Sequence, residues 1–441
     1  MMGLALSYTC AEMLEDKIRS RQAKVAVIGL GYVGLPTAYE KAKKGYEVIG
    51  LDISEEKVNL VNTGITYISD IEPVSFADAV TSKKLSASTD FSMLEHADVA
   101  VICVPTPVDE HKQPDLSYIK SAADQIDRYG HEGMLVILES TTYPGTTDEY
   151  LRSRLAEKGF IMGENFFLAY SPERVDPGNK SFGISNTPKI VGGTTPVCTS
   201  LAAAFIGENA HPVSSLEVAE MAKVFENTFR YINIALVNET AQFCSKSGID
   251  IWEVVDASGS KPYGFMPFYP GPGVGGHCIP VDPYYLTYKA QEVMQSTKMI
   301  ELAGEINDGM VTYIYQRLSE ALNEESKAVK GSTIAVLGAA YKPDIGDLRE
   351  SPVLPLLSKL QDNGARLSII DPYVESFVLD GEIITSYPYS DEMIQEADLV
   401  LLATNHSIFD YERIAGVAKV IFDTRNAFKN VSSMKARYYK L

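Results

Sequence analysis

At 441 residues the chain exceeds what one ordinary hydrophobic core supports, so two or three domains are expected. It is 45% hydrophobic and 22% charged, the composition of a soluble globular protein, and its formal net charge of −19 argues against nucleic acid or an anionic membrane surface as a general partner. The five scattered cysteines, Cys10, Cys103, Cys198, Cys244 and Cys278, make no CxxC pair and no metal-ligand spacing, as expected of reduced thiols in a cytoplasmic protein without a metal site.

Residues 1–23 lead the chain, and 9–22 read as a short helix. Glu12, Glu15 and Asp16 interrupt any signal-peptide run, and no stretch of 18 or more apolar residues occurs, so no membrane span is expected. Residues 24–28 form an apolar strand that runs into Gly29-Leu30-Gly31-Tyr32-Val33-Gly34, followed by a helical pattern and a second strand, 47–52. That order, closed by Asp52 18 residues past Gly34, is a dinucleotide-binding unit. Gly29 makes the tight turn, Gly31 admits a pyrophosphate and Gly34 allows close helix–strand packing. A carboxylate at Asp52 accepts hydrogen bonds from ribose hydroxyls and repels a 2′-phosphate, which favours NAD over NADP.

Residues 97–104 and 134–138 are further buried parallel strands, ending in Pro105-Thr106-Pro107 and in Glu139-Ser140-Thr141-Thr142-Tyr143-Pro144-Gly145. Both loops leave the carboxyl ends of strands, where open α/β sheets bind ligands. Cys103, inside the first of these strands, reads as core. A long amphipathic helix is predicted over 216–246, stopped by Gly248, and its length suits a spacer that also packs against a partner. Lys223 and Asn227, four apart, project from one face of it. Glu220 and Glu226 read as solvated or salt-bridged.

The segment 260–285 is rich in glycine, proline and aromatics and reads as a loop. Within it Gly271-Pro272-Gly273-Val274-Gly275-Gly276-His277-Cys278 is followed four residues later by Asp282. Glycines permit positive φ and close backbone approach, and a cysteine presented there is accessible to substrate. The alternative is a structural turn beside a buried thiol. In a chain that also carries a nicotinamide-nucleotide motif, the thiol points to aldehyde oxidation through a covalent thioester.

A second α/β pattern opens at 332–338, continues with a strand at 367–370 ending in Asp371, and includes 397–402, which echoes 97–102. The expected fold class is therefore α/β: two Rossmann-like, doubly wound domains joined by a long central helix in an all-helical middle domain. The second unit has Gly338-Ala339-Ala340-Tyr341-Lys342 in place of the full glycine fingerprint, so it is expected to bind something other than NAD.

In this order the elements resemble the nucleotide-sugar 6-dehydrogenase family, the UDP-glucose/GDP-mannose dehydrogenases, from about residue 24 to the end. The motifs that carry the resemblance are Gly29–Pro36, Val104-Pro105-Thr106-Pro107, Glu139-Ser140-Thr141, Ser171-Pro172-Glu173-Arg174-Val175, Lys223-Val224-Phe225-Glu226-Asn227, the cysteine loop and Gly346-Asp347-Leu348-Arg349-Glu350-Ser351. It implies an NAD-binding Rossmann domain at 24–212, a central helical dimerisation and catalytic domain at 213–318, and a UDP-sugar-binding domain at 319–441. It also implies oxidation of a sugar primary alcohol to a carboxylate with two NAD⁺ per turnover, in a cytoplasmic homodimer or larger homo-oligomer assembled through residues 216–310.

The same resemblance assigns roles. Cys278 is the nucleophile that traps the aldehyde. Lys223 and Asn227 stabilise the oxyanion, Asp282 orients a water or Lys223, Glu173 is acid/base for thioester hydrolysis, and Thr141 holds water or touches the nicotinamide. For Glu173, Asp282 and Thr141 a loop-capping role suits the residue types as well. The implied NAD set is Gly29, Gly31, Tyr32, Val33, Gly34, Asp52, Lys57, Thr106, Thr141 and Arg349. The implied substrate set is Glu173, Arg174, Val175, Lys223, Asn227, Tyr269, Gly273, Gly275, Lys342 and Arg425, with Lys342 and Arg425 anchoring the diphosphate. His277 is structural or substrate-lining, because chain neighbours point apart. The Gly-Gly-His-Cys-Ile-Pro-Val-Asp-Pro turn after Phe268-Tyr269-Pro270 resembles the branch acting on UDP-N-acetylhexosamines, UDP-N-acetylglucosamine first, with UDP-glucose and the N-acetylmannosamine or N-acetylgalactosamine nucleotides as alternatives. Lys261 lies nearest the position where some members place an arginine for a neighbouring subunit. Two rival readings remain: a two-electron hydroxyacid or polyol dehydrogenase, which needs no Cys278, and a non-catalytic nucleotide-sugar-binding module.

Overall fold

The computed structural model describes residues 9–68, 71–109, 111–176, 179 and 181–441. The chain divides into two units: the residues up to Glu226 with Tyr284–Met294, and Asn227–Pro283 with Gln295–Leu441.

The first unit is built on eight strands, β1 (Lys24–Ile28), β2 (Glu47–Leu51), β3 (Leu85–Ser88), β4 (Val99–Ile102), β5 (Leu135–Leu138), β6 (Phe167–Tyr170), β7 (Lys189–Gly193) and β8 (Ala210–Pro212), in the order β3-β2-β1-β4-β5-β6-β7-β8. All neighbours are parallel except β6 and β7. Winding reverses between β1 and β4, the switch point at which doubly wound sheets take their ligands. Val25 and Val27 join a core on one face, while Ala26 and Ile28 join another core on the opposite face. Burial on both faces is why these strands read as unbroken apolar runs rather than alternating ones.

Of the leader 1–23, residues 1–8 lie outside the described residues. The rest forms a helix, Cys10–Arg19, opened by a capping box between Thr9 and Glu12. It buries Leu14 and Ile18 in the first core and places Lys17 2.6 Å from Asp98.

The second unit carries β9 (Thr333–Leu337), β10 (Arg366–Ile370), the hairpin β11 (Ser376–Leu379) and β12 (Glu382–Thr385), β13 (Leu399–Leu402), β14 (Val420–Asp423) and β15 (Arg437–Lys440). Five of these make a parallel sheet in the order β10-β9-β13-β14-β15. One face is sealed by Met310, Ile314 and Leu318 of the helix Lys298–Glu324. The echo between the two sheets extends to single hydrogen bonds. Gly29 (φ 90°) and Gly338 (φ 82°) both turn left-handed after the first strand. Asp52 accepts the Leu30 N–H at 2.8 Å, as Asp371 accepts those of Ala339 and Ala340 at 2.7 and 3.1 Å. Asp98 accepts from Lys24 N at 2.8 Å, and Asp398 from Thr333 N at 2.9 Å.

Three further helices bear on the site: Leu216–Ser247, Ile251–Gly259 and Asp282–Glu292. Two expectations need correction. The loop predicted over 260–285 stops at Val281, because Asp282 already lies in a helix whose second residue, Pro283, has no N–H to leave unpaired. Cys103 lies just past β4 rather than inside it, although it is buried and its N–H still bonds the Ile28 carbonyl at 2.8 Å. No described helix is long and apolar enough to cross a membrane.

Candidate active site

At the switch point of the first sheet, the glycine turn is as tight as backbone chemistry allows. A Cβ at Gly34 would sit 1.7 Å from the Gly29 carbonyl oxygen, and one at Gly29 would sit 2.6 Å from the Cys103 carbonyl. A Cβ at Gly31 would meet nothing within 4 Å. The turn is therefore closed toward the protein and open at Gly31, with the helix Gly34–Lys43 starting behind it. That shape fits a dinucleotide pyrophosphate. Asp52 is positioned by the N–H groups of Leu30 and Ser54, at 2.8 and 2.9 Å, with the Lys57 ammonium 3.4 Å away. Tyr32 is exposed at the rim, while Val33 and Thr141 are half-buried. The Thr106 carbonyl accepts the Tyr285 hydroxyl at 2.9 Å.

Beside this turn lies an acidic cluster. Glu173 uses one carboxylate oxygen to accept the N–H groups of Arg174 and Val175, each at 2.8 Å, so the loop-capping role is real. Its other oxygen lies 3.3 Å from the Lys189 ammonium. Lys189 also lies 2.6 Å from Glu139, whose second oxygen takes the Cys103 thiol at 3.7 Å. Burial alone would raise the Glu173 carboxyl, but Lys189 and the two N–H groups hold it below the usual range. Arg174 forms a two-point ion pair with Glu226. Neither Lys189 nor Glu139 carries a role in the sequence reading.

Glu220 is neither solvated nor salt-bridged. It is fully buried and accepts from Gly145 N (2.6 Å), Thr147 N (2.9 Å) and Thr147 Oγ1 (2.6 Å), because that turn needs an acceptor for its N–H groups. Burial raises its carboxyl above the ordinary range.

In the second unit the half-buried Cys278 ends the glycine loop, and its carbonyl accepts the Asp282 N–H at 2.8 Å. The Asp282 carboxylate accepts from the Asn227 amide, and both residues are buried. Lys223, one helical turn before Asn227 on the helix Leu216–Ser247, is only 7% exposed.

The loop glycines are required by the protein's own packing. A Cβ at Gly275 would fall 2.5 Å from Tyr341 Cβ and 2.9 Å from Pro352, and one at Gly273 would fall 3.1 Å from Pro352. Gly276, at φ 88°, donates to the Arg349 carbonyl at 3.1 Å. Arg349 itself grips Asp347 through Nε at 2.9 Å and Nη2 at 2.6 Å. Lys342 is half-buried at its strand-end loop, and Lys261 is exposed, with its ammonium 4.9 Å from the Tyr263 ring centre.

Tyr269 and Arg425 come together in the same unit. They line a cavity of about 460 Å³ with Trp252, Asn405, Ser407 and Tyr411. Trp252 and Tyr269 stack at 5.5 Å and 14°. Arg425 donates from Nε to the Ala403 carbonyl at 2.9 Å, and burial pushes its pKa down to about 10, so it stays cationic at neutral pH. An aromatic platform with an arginine and amide groups is suited to a planar base and an attached anion.

Residues 23–206, 217–309 and 335–430 match, in turn, the NAD binding, central and UDP binding domains of the UDP-glucose/GDP-mannose dehydrogenase family. The chain belongs to that family. It is 39% identical over 361 residues to the UDP-N-acetyl-D-glucosamine 6-dehydrogenase of Pseudomonas aeruginosa, covering 81% of this chain and 84% of that protein. It is 34% identical to a UDP-N-acetyl-D-mannosamine dehydrogenase of Methanococcus maripaludis, over 94% of this chain and 95% of that one. The solved UDP-D-ManNAc dehydrogenase of Pyrococcus horikoshii aligns at a TM-score of 0.84 and 33% identity, covering 94% and 98% of the two chains. The protein is thus an NAD-dependent oxidoreductase of the nucleotide-sugar dehydrogenase family, and its NAD-binding part is the unit with the glycine turn.

Proposed function

We propose that this enzyme oxidises the 6-hydroxymethyl group of a UDP-N-acetylhexosamine, UDP-N-acetylglucosamine first, to the uronate through a thioester on Cys278. Bound NAD supplies the electron acceptor, two equivalents for each sugar. The Cys278 sulfur adds to the sugar aldehyde as a thiohemiacetal, and its oxidised product is the thioester. The amide of Asn227 and the ammonium of Lys223 stabilise the oxyanion on the sugar carbon. Glu173 takes a proton from the attacking water as its oxygen bonds to the acyl carbon; the C–S bond then breaks and sulfur leaves as thiolate. Thr141 holds water near the reacting carbon, and the Trp252–Tyr269 platform with Arg425 and Lys342 takes the uridine diphosphate.

The observation that carries the reading is the buried hydrogen-bonded turn joining Cys278, Asp282 and Asn227, which a simple two-electron dehydrogenase does not need. The 39% identity to a UDP-N-acetylglucosamine enzyme supports that sugar; the wider 94% coverage by UDP-N-acetylmannosamine enzymes supports UDP-N-acetylmannosamine as a second reading. Purified protein is offered UDP-glucose, UDP-N-acetylglucosamine, UDP-N-acetylgalactosamine, UDP-N-acetylmannosamine and GDP-mannose, and NADH is counted against sugar consumed. Two NADH per UDP-N-acetylhexosamine is expected. A ratio of one for every nucleotide sugar ends the proposal.

Assembly as at least a dimer belongs to the same reading. Phe229, Leu236 and Phe243, each seven residues after the last, form an exposed stripe on the helix Leu216–Ser247, with Leu236 59% and Phe243 64% exposed. Apolar residues at that spacing suit a second helix of like pattern. Leu236→Glu with Phe243→Glu is expected to shift sedimentation to the monomer. A wild-type protein that sediments as a monomer at assay concentration contradicts the assignment.

A further inference from the structure

Four chemically active side chains converge behind the nucleotide turn from four places in the first unit. Cys103 follows β4, Glu139 follows β5, Glu173 lies in the loop after β6, and Lys189 begins β7. Lys189 is the only cation whose ammonium is bonded to this group among the described residues, at 2.6 Å from Glu139 and 3.3 Å from Glu173. Its side chain is 13% exposed, that of Glu173 14%, and that of Glu139 4%. Solvent therefore reaches Glu173 while Glu139 is sealed. Lys41 on the helix Gly34–Lys43 is held elsewhere, its Nζ on the Phe205 carbonyl at 2.6 Å, and burial pushes its pKa well below the usual lysine value.

A sealed carboxylate needs a permanent partner, because an unpaired buried charge is costly. Lys189 is that partner for Glu139, and the pairing in turn holds Lys189 in one place. Once fixed, its remaining reach is to the Glu173 oxygen that the loop N–H groups do not use. Glu173 is thereby held from two sides, with one oxygen locked on backbone and the other oriented by the ammonium.

We infer that Lys189, anchored by Glu139, is a positioning residue that keeps Glu173 ionised and fixed in one orientation for its part in thioester hydrolysis. The inference rests on the assignment of Glu173 as the base of thioester hydrolysis. Lys189 touches no reacting atom; it acts through Glu173. The groups that face Glu173 from the packed elements are Lys189, Glu139, Cys103 and the N–H groups of Arg174 and Val175. Of these only Lys189 carries positive charge. Its removal raises the Glu173 carboxyl, so a rate that needs the ionised form is lost at a higher pH than in the wild type.

The test separates acylation from deacylation in the intact enzyme. Lys189→Met is made together with Glu139→Gln, so that no buried charge is left alone, and Lys189→Gln is made as a second variant. NAD binding checks the fold of each. Expected for both is a normal pre-steady-state burst of NADH, followed by a steady-state rate lower by on the order of 100-fold. A Cys278 acyl adduct should accumulate in intact-protein mass spectra, the acid limb of the rate should move to higher pH, and Lys189→Arg should restore the wild-type limb. Glu173→Gln is run in parallel. If it accumulates the adduct while both Lys189 variants turn over like wild type, this inference is overturned and the base assignment stands. If Glu173→Gln accumulates none, the base assignment fails and the inference falls with it. If both Lys189 variants lose the fold, Lys189→Arg decides: a wild-type acid limb is expected of it, and a limb shifted to higher pH overturns the inference.

Discussion

Cys278→Ser should still bind NAD but lose uronate formation by about 10³-fold or more, with no covalent adduct surviving on the thioester path. The substitution changes one atom at a half-buried position, so the loop that presents it should persist. That loop is set by contacts the mutation does not touch: the Asp282 N–H on the Cys278 carbonyl, and Gly275 and Gly276 seated on Tyr341. What changes is chemical. A thiolate is populated near neutral pH and is a strong nucleophile, whereas a serine hydroxyl needs a base to attack and forms an ester that is a poorer acyl donor. Rapid-quench counting of NADH per active site, with intact mass of the protein, reads the result. Two NADH per sugar at the wild-type rate from Cys278→Ser would remove the covalent mechanism altogether.

The parts of this architecture that sequence discloses are those whose cause is local. Residues 25–28 read as a strand because both faces are buried, and their apolar run has no polar interruption. The glycines at 29 and 34 read correctly because a Cβ there collides with backbone only a few residues away or at the switch point. What escapes is pairing across long separations. Nothing near Glu220 signals that the N–H groups of Gly145 and Thr147 lack an acceptor, so an amphipathic helix suggests solvent where the fold places a buried cap. Lys189 reads as the polar opening of an apolar strand; its partner Glu139 lies 50 residues earlier. The loop glycines at 273 and 275 are also required by packing that the local sequence does not show, because the atoms that crowd them belong to Tyr341 and Pro352. The sequence signal for the platform is Trp252, the only tryptophan in the chain, four residues before Asp256, which accepts from the Tyr269 hydroxyl at 2.6 Å.

Asp282→Asn is expected to lower kcat by roughly 10²- to 10³-fold, the range for losing one oriented oxyanion donor, with the KM for NAD little changed. The Asp282 side chain acts here as a carboxylate. It has no proton to give, so it accepts only, and the group that faces it from Asn227 must be the NH₂ end of the amide. One N–H is committed to Asp282 and the other is left pointing where the orientation dictates. An asparagine at 282 is both donor and acceptor, so the Asn227 amide can face it by either end and the commitment is lost. The volume is nearly the same and the backbone bond from residue 282 to the Cys278 carbonyl is retained. The fold is therefore not the variable. Because both groups are buried, water does not substitute for the missing acceptor. Asn227→Asp is the complementary case, in which two buried carboxylates face each other and one must take a proton. Its activity should fall as far at neutral pH and recover in part toward acid, where the added group is neutral. Activity in Asp282→Asn within threefold of wild type across the pH range would show that the carboxylate does not orient the amide.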